Sequence, residues 1–520
     1  MFLINDFVIM VWLVAIGWAL WRKHDSSALI MAALYAFLAP VWVFPSGSKV
    51  NPSYLLTLLF FFYLLREWIQ EGRAWWRHLH WKKPLGLYSL LFASYLLLAT
   101  LGALLHGRAP VSAYLRAYLG QINIFALTFA FIYLFRKRSP RELWPILAWT
   151  GGIYLAVSAI FAYWQRIDFA SSYLVSTQLY QTPDQQAPFL AMKAVERFER
   201  SFGAHYSPSV LGVVLLYFFA IILAYFVERM YHEPIKQRTS FIWRDRIGLA
   251  LLAGILLLAH LGIFAFSKTV IIGFPIIYLY AMTLLPVILW LASKRHRSDR
   301  AYTERGSYRN CWTWAVPVLL ILVVAYTLAW FTLPADQVGA RHYYYGFILK
   351  PFYVLQTRYR ETPLDLVVPL DPAVVDTVTS GITDSALEIW KQSKWVGVGF
   401  LPIAQEFLGD SQLASVLHNG GLLAFVLYLV AYTWIFIQAL RQRSLLTLFL
   451  LPAIFFACLA TNAFDFRAFA PFVALAWALP SVPKVTKYTK DEKGTDAAQA
   501  PLRAEQLSVR MSFEKEARSV

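Results

Sequence analysis

The chain has 520 residues, of which 59% are hydrophobic and only 15% are charged, and its net charge is +17. Soluble globular domains carry about 25% charged residues, so this composition excludes an ordinary soluble protein. The apolar residues form runs of about 18–22 residues, the length at which an α-helix crosses a bilayer. The runs do not alternate as barrel strands would, and backbone groups in lipid must be bonded internally, so we predict helices.

In chain order, the predicted spans begin near residues 3, 27, 53, 85, 120, 143, 209, 247, 269, 312, 421, 445 and 467. No basic residue precedes the first run, which predicts a retained span and not a cleaved signal peptide. The predicted fold class is therefore an all-α polytopic membrane protein with about 13 transmembrane helices. Residues 1–481 form its transmembrane domain, and the polar residues 482–520 form a cytoplasmic tail.

The basic residues set the predicted orientation. With the N-terminus outside, 32 of the 47 lysines and arginines fall on the cytoplasmic loops and tail, as the positive-inside rule requires. The positive charge is then a topology signal with an added attraction to anionic membrane lipids. No soluble basic domain is left to bind nucleic acid.

Two predicted outside loops are long, covering residues 165–208 and 334–419, the second being the large loop near the C-terminus. Channels and simple transporters usually keep such loops short. Because functional residues concentrate on loops held by a rigid scaffold, these two predict a site at the outer face of the membrane.

The first candidate site lies at the end of the first loop. Arg197 and Arg200 are three residues apart, so they share one helical face and suit bidentate binding of a phosphate or diphosphate. The alternative is a solvated surface on which they pair with Glu196 and Glu199.

Further cations lie between spans. Lys268, after Ser267, sits where two spans are joined by almost no loop, and a charge at that depth tends to be functional or paired. Its alternative is a lysine that extends to the outer interface. Arg108 and Arg116 occupy a short outside loop, as interface anchors or as part of an anion site.

The end of the large loop supplies candidate proton acceptors. Asp410, Glu406 and His418 lie shortly before a predicted span. The alternative for His418 is a polar helix N-terminus with Asn419 as the N-cap. The sequence contains no Walker A loop, HExxH or GxSxG motif. We therefore expect no metal and no cofactor.

Together these features resemble the O-antigen ligase/polymerase family of bacterial membrane proteins, over roughly residues 195–470. The family pattern R-x-x-G-x-x-x-x-P-x-x-x-G matches Arg200, Gly203, Pro208 and Gly212. Its serine–basic element matches Ser267 and Lys268. Its G-x-G near the end of the large loop matches Gly397 and Gly399, and its glycine before the next span matches Gly421.

The departures from the family pattern also carry information. Ligases of the family have a His-Asn pair about eleven positions before the last glycine, where this chain has Asp410 and Ser411. An Asp-Ser at that place is more similar to the family's exopolysaccharide polymerases. The arginine that usually precedes the helical segment of the loop has no clear counterpart, and the candidate substitutes are Arg341, Arg358 and Arg360.

The resemblance implies a metal-independent glycosyltransferase at the outer face of the bacterial inner membrane, with a periplasmic N-terminus and a cytoplasmic C-terminus. Its substrate would be an undecaprenyl-diphosphate-linked oligosaccharide, polymerised into exopolysaccharide or O-antigen. A chain-length regulator and a flippase of the same pathway would be its partners, together with membrane lipids. The residues implied for the diphosphate are Arg200, Arg197, Lys268 and Arg116, and those implied for catalysis are Asp410, then His418.

Three other functions stay open at this point. An O-antigen ligase would transfer finished glycan from the lipid carrier to an acceptor. A transporter or flippase of lipid-linked sugars is disfavoured because the hydropathy pattern has no inverted repeat. A membrane scaffold of a secretion machine is the third. The sugar, its linkage and stereochemistry, the acceptor and the oligomeric state are not encoded in any motif.

Overall fold

A computed structural model describes residues 2–43, 49–106, 111–180, 201–205, 208–232, 246–265, 267–294, 312–332, 393–400, 412–460 and 467–478. Nearly all of these residues are helical. The β structure in this part of the chain is one antiparallel pair of two-residue strands, β1 (Trp42–Val43) and β2 (Lys49–Val50). The segment Met1–Ser481 is one compact unit, and residues 482–520, the predicted tail, lie outside the described residues.

The described helices follow one another in this order: α1 (Phe2–Trp21), α2 (Asp25–Leu38), α3 (Ser53–Glu71), α4 (Arg73–Trp76), α5 (Pro84–His106), α6 (Val111–Phe135), α7 (Pro140–Ile167), α8 (Phe169–Tyr180), α9 (Pro208–His232), α10 (Arg246–Phe264), α11 (Lys268–Met282), α12 (Leu284–Lys294), α13 (Trp312–Thr332), α14 (Gln412–Gln442), α15 (Leu445–Ala460) and α16 (Ala470–Trp477). Two 3-10 turns cover Arg77–Leu79 and Arg467–Phe469.

Eight apolar segments of the described chain are long enough to cross a membrane, in α1, α5, α6, α7, α9, α10, α14 and across α11 and α12. Four shorter apolar segments lie in α2, α13, α15 and Arg467–Trp477. The nearly all-helical fold and the membrane-protein class are thus confirmed. The count of about 13 spans and the periplasmic location of the large loop stay predictions.

The outer surface of the bundle is apolar, as lipid requires. In α1, Phe7, Val14 and Trp18 are all more than half exposed. A water-soluble protein rarely leaves such a continuous apolar face uncovered. We conclude that this face contacts lipid.

Helix α9 is the centre of the bundle. Every residue from 210 to 220 is buried, and the helix packs against α10, α11 and α15. A helix that is apolar on all sides is stable only when other helices surround it. The segment just before α9, residues 201–205, is therefore anchored to the most rigid part of the protein.

Contacts between elements show which helix ends lie together at each end of the bundle. At one end, which we call the ion-pair end, Arg138 pairs with Asp25, and Lys137 Nζ lies 2.5 Å from Glu67 Oε2. At the other, which we call the loop end, the Val41 amide donates to the Leu179 carbonyl at 2.7 Å. Helices that alternate in direction between these two ends are the arrangement expected of a polytopic membrane protein.

The predicted loops contain more helix than expected. Helix α7 continues to Ile167, past the predicted loop start at residue 165. Helix α8 (Phe169–Tyr180) lies wholly inside the predicted loop 165–208. Helix α14 begins at Gln412, before the predicted loop end at 419, and is interrupted by non-helical backbone at Gly421. The kink divides α14 into two helical segments, and the predicted start of a span near 421 coincides with the start of the second segment.

Candidate functional site

The predicted site residues divide into those the structure describes and those it does not. The following lie outside the described residues: Arg197, Arg200, Asp410, Glu196, Glu199, Arg108, Arg341, Arg358, Arg360, Glu406 and Ser411. Lys268 is the first residue of α11, and its side chain is likewise outside the description. Arg116 is exposed in the second turn of α6, and His418 is buried within α14.

The segment Ser201–His205, which directly follows Arg200 in sequence, is held by one buried amide side chain. Gln165 Oε1 accepts hydrogen bonds from the Phe202 and Gly203 amides, at 2.9 and 3.0 Å. Gln165 Nε2 donates to the Gly203 carbonyl at 3.0 Å and to Ser176 Oγ at 3.1 Å. Buried backbone groups outside a helix need such partners, and an amide supplies donors and acceptors together.

Residues of the family pattern meet in this segment, in what we call the Ser201 corner (Ser201, Gly203, His205, Gly212 and Ser267). The Ser201 amide donates to the Phe264 carbonyl at 3.0 Å, tying the segment to the end of α10. Gly203 has a φ of 55°, which favours glycine. A Cβ at Gly212 would lie 1.9 Å from Ser267 Oγ, so glycine allows α9 and Ser267 to touch.

A buried histidine, His205, and a half-buried arginine, Arg467, complete this corner. Tyr154 Oη lies 2.7 Å from His205 Nε2, and Arg467 Nη2 donates to the Ala39 carbonyl. Burial, and then the charge of Arg467, lower the pKa of His205 to about 3, so its ring is neutral at pH 7. Burial raises the pKa of Tyr180 to about 12, against the opposing effect of Arg467. Arg467 is thus the cation the fold places among these side chains.

The depressed pKa of His205 predicts a pH dependence. The unfolded chain binds a proton at this histidine below about pH 6.5, whereas the folded chain does so only near pH 3. Stability therefore rises with pH between these values and is lost as pH falls, by at most about 1.4 kcal/mol per pH unit. We expect the apparent melting temperature in detergent to fall faster from pH 7 to pH 5 in wild type than in His205→Gln. The exposed His80→Gln variant should follow wild type, and parallel curves for His205→Gln and wild type would contradict this assignment.

A second group of matched residues forms around the kink in α14. Gly421 has φ 66° and ψ −167°, so the carbonyls of residues 418 and 419 lose their normal helical partners at 422 and 423. Four backbone bonds to residues 393–400 replace them: Val398 N to His418 O (2.9 Å), Gly399 N to Asn419 O (3.1 Å), Leu422 N to Lys394 O (2.9 Å) and Leu423 N to Trp395 O (3.2 Å). The G-x-G segment and the kink are therefore one unit, which we call the Gly421 corner.

Inside this corner a polar chain links α14 to α5. Asn419 Nδ2 donates to Tyr95 Oη at 3.0 Å, and Asn419 Oδ1 lies 3.0 Å from His418 Nδ1. This amide orientation puts the proton of a neutral His418 on Nδ1, which leaves Nε2 as the basic atom of the ring. His418 is 1% exposed, so its ring is buried. The Asn419 side chain bonds Tyr95 and His418, and the second helical segment of α14 begins only after Gly421, so Asn419 does not act as the N-cap considered from sequence.

Helices α5 and α6 support the same segment. A Cβ on Gly102 would lie 2.7 Å from the carbonyl oxygens of residues 396 and 397. The Phe400 ring contacts those of Tyr95 and Tyr118, with centroids 5.2 and 4.8 Å away. Arg116 lies two residues before Tyr118 on α6 and is exposed, and residues two apart do not share a helical face, so the contact of Tyr118 with Phe400 does not extend to Arg116.

The two corners lie toward the same end of the bundle. A 3-10 turn that begins at Arg467, beside the Ser201 corner, leads into α16, which ends at Trp477, whose ring contacts Tyr88 at 5.2 Å. Tyr88 is near the start of α5, so α5 begins at the end opposite Arg467. The Gly421 corner packs on Ala99 and Gly102, toward the other end of α5. Both corners are thus at the loop end.

Sequence reasoning missed three residues that hold this site. Tyr95 lies within an apolar run and Gln165 at the start of the first predicted loop, and no motif marks either residue. Arg467 had a visible signal, a single arginine between phenylalanines at the start of an apolar segment, and a charge there is costly unless it has a role or a partner. Long-range contacts, and not local pattern, give all three their importance.

Within the described residues, no group of three or more His, Cys, Asp or Glu side chains is arranged to hold a metal ion. No protein-family model matches the chain, and a search of curated proteins finds no similar sequence.

Proposed function

We propose that this protein polymerises undecaprenyl-diphosphate-linked oligosaccharide repeat units into exopolysaccharide or O-antigen, at the outer face of a bacterial inner membrane. The N-terminus is then periplasmic and the C-terminus cytoplasmic, in line with the distribution of basic residues. The loop end of the bundle faces the periplasm. A flippase supplies the substrate, and a chain-length regulator acts on the product.

The proposed reaction is a glycosyl transfer. A sugar hydroxyl of one unit attacks the anomeric carbon of the other, forming a new C–O bond as the bond to the diphosphate breaks. Undecaprenyl diphosphate leaves with the electron pair, and the hydroxyl proton passes to a protein base. Arg200, Arg197, Lys268 and Arg116 stabilise the charge that develops on the diphosphate.

Asp410 is the first candidate for the base. It lies in the stretch of chain that joins the 393–400 segment to α14, so both ends of that stretch belong to the Gly421 corner. His418 is the second candidate through Nε2, although its burial limits direct contact with a sugar. Its hydrogen bond to Asn419 also suits it to positioning the loop.

The observation that carries the proposal is the clustering of distant motif residues. Gly203, Gly212 and Ser267 meet in one corner, and the G-x-G segment meets Gly421 in the other. Both corners share one end of the bundle, and in sequence Arg200 directly precedes the first corner while Asp410 lies just before α14 of the second. A transferase that handles a lipid diphosphate and a sugar hydroxyl needs this combination.

The test is deletion of the gene followed by sizing of lipid-linked and surface glycans. A polymerase predicts accumulation of single lipid-linked repeat units and loss of long polymer. Long polymer still attached to the lipid carrier would indicate a ligase. Unchanged glycans would overturn the proposal in favour of a transporter or scaffold.

A further inference from the structure

A cavity of about 450 Å³, lined by both charged and apolar residues, lies at the ion-pair end, opposite the proposed catalytic region. Five of its lining residues are titratable: Glu71, His78, Lys83, Arg136 and Lys137. They come from the end of α3, the 3-10 turn after α4, the residues before α5 and those after α6. Its volume is within the range of small-molecule sites in proteins, about 300–1,000 Å³.

The carboxylate in this cavity, Glu71, is contacted by three neighbouring side chains. Tyr133 Oη donates to Glu71 Oε1 at 3.1 Å, and His78 Nε2 lies 3.2 Å from Glu71 Oε2. Lys137 Nζ is 3.9 Å from Glu71 Oε1 and 2.5 Å from Glu67 Oε2. The two carboxylates, Glu67 and Glu71, therefore share one lysine.

Lys83 and Arg136 give this cluster of two carboxylates and three cations an excess of one positive charge. In the described part of the chain, neither Lys83 nor Arg136 has a carboxylate within 4.0 Å. Arg136 is braced by Tyr133: its Nε donates to the Tyr133 carbonyl at 3.3 Å, and its guanidinium lies 4.2 Å from the ring centroid. Bracing through Nε leaves the terminal nitrogens as the part of the guanidinium that suits a bidentate anion.

The surroundings of the cavity mark the level of lipid headgroups. Trp76 and Trp81, on the chain between α3 and α5, are 58% and 52% exposed. Tryptophans at the end of spans sit at the interface between hydrocarbon and water. The buried Leu85 also lines the cavity. A ligand there would meet two cations at its polar end and apolar surface beside it.

We propose that this cavity binds a phosphate group of the kind that anionic phospholipid headgroups present at this depth, through Arg136 and Lys83. Basic pockets between helices are the usual form of such sites. The site is separate from the diphosphate site at the loop end and does not depend on the proposed reaction. Its occupant would hold α3, α5 and α6 together at the ion-pair end.

The test uses the purified full-length protein in detergent, titrated with phosphatidylglycerol, phosphatidylcholine or glycerol 3-phosphate, with thermal stability and native mass spectrometry as readouts. Wild type should bind phosphatidylglycerol and not phosphatidylcholine. Lys83→Gln/Arg136→Gln should bind about tenfold more weakly. The matched control is Arg77→Gln/Lys82→Gln, which removes two exposed charges from the same surface but none from the cavity.

A charge-preserving variant, Lys83→Arg/Arg136→Lys, separates misfolding from loss of the site and should retain most of the binding. If glycerol 3-phosphate stabilises wild type but not Lys83→Gln/Arg136→Gln, and phosphatidylglycerol stabilises neither, the phosphate site is supported. Its ligand is then a soluble phosphate ester and not a lipid. Equal binding by the cavity variant and its control, or equal binding of phosphatidylcholine, would overturn the proposal.

Discussion

Replacing Arg200 by alanine is expected to abolish polymer formation while leaving membrane insertion intact. Arg200 directly precedes Ser201, whose amide is fixed to the Phe264 carbonyl, so the chain enters the Ser201 corner from this arginine. Loss of one group that stabilises charge in a transition state costs about 10²–10³ in rate. The measurement is the surface glycan of a deletion strain complemented with the variant.

Two further variants are compared with Arg200→Ala, one that keeps the positive charge and one that serves as a control. Arg200→Lys keeps the charge but loses bidentate geometry, so polymer should be reduced less than in the alanine variant. Arg77→Ala removes an exposed arginine at the ion-pair end and should leave polymer unchanged. A wild-type amount of polymer in cells that make Arg200→Ala would contradict a role for this arginine in binding the diphosphate.

Replacing Gly421 by alanine is expected to detach the 393–400 segment from α14. The backbone at φ 66° and ψ −167° belongs to a region that only glycine adopts readily. A Cβ would also lie 2.3 Å from the Trp395 carbonyl group. We expect a destabilisation of about 3 kcal/mol, with loss of polymer, because the backbone bonds that join the G-x-G segment to the kink would break.

The effect is measured as the apparent melting temperature in detergent and as the rate of protease cleavage within 393–400. Gly120→Ala is the matched control, since a Cβ there meets nothing within 4 Å and α6 is regular at that position. Equal stability and equal cleavage of Gly421→Ala and Gly120→Ala would contradict the role of the kink.

Helix positions were predictable because the membrane imposes a simple physical rule. A run of apolar residues must form a helix in lipid, so a helix or 3-10 turn lies at every predicted span start. Helix α8 was not predicted, because its sequence mixes serine and threonine with apolar residues and lacks a long run. The early start of α14 was missed for the same reason, since polar residues fill the turns before Gly421.

The candidate site was predictable only in part. Glycines in the family pattern indicated where the backbone is special, and Gly203 and Gly421 both have positive φ. The pattern could not show that Gln165 clamps Gly203 or that Asn419 reaches Tyr95, 324 residues away. The cavity at the ion-pair end was equally hidden, because its residues converge from distant parts of the chain.

The most direct test of the central claim is reconstitution of the purified protein in vesicles with a synthetic undecaprenyl-diphosphate-linked repeat unit. Products are sized with and without a chelator of divalent metals. We expect lipid-linked dimers and longer oligomers, release of undecaprenyl diphosphate, and no change with the chelator. Intact substrate in the presence of correctly folded wild-type protein would contradict the proposed glycosyl transfer.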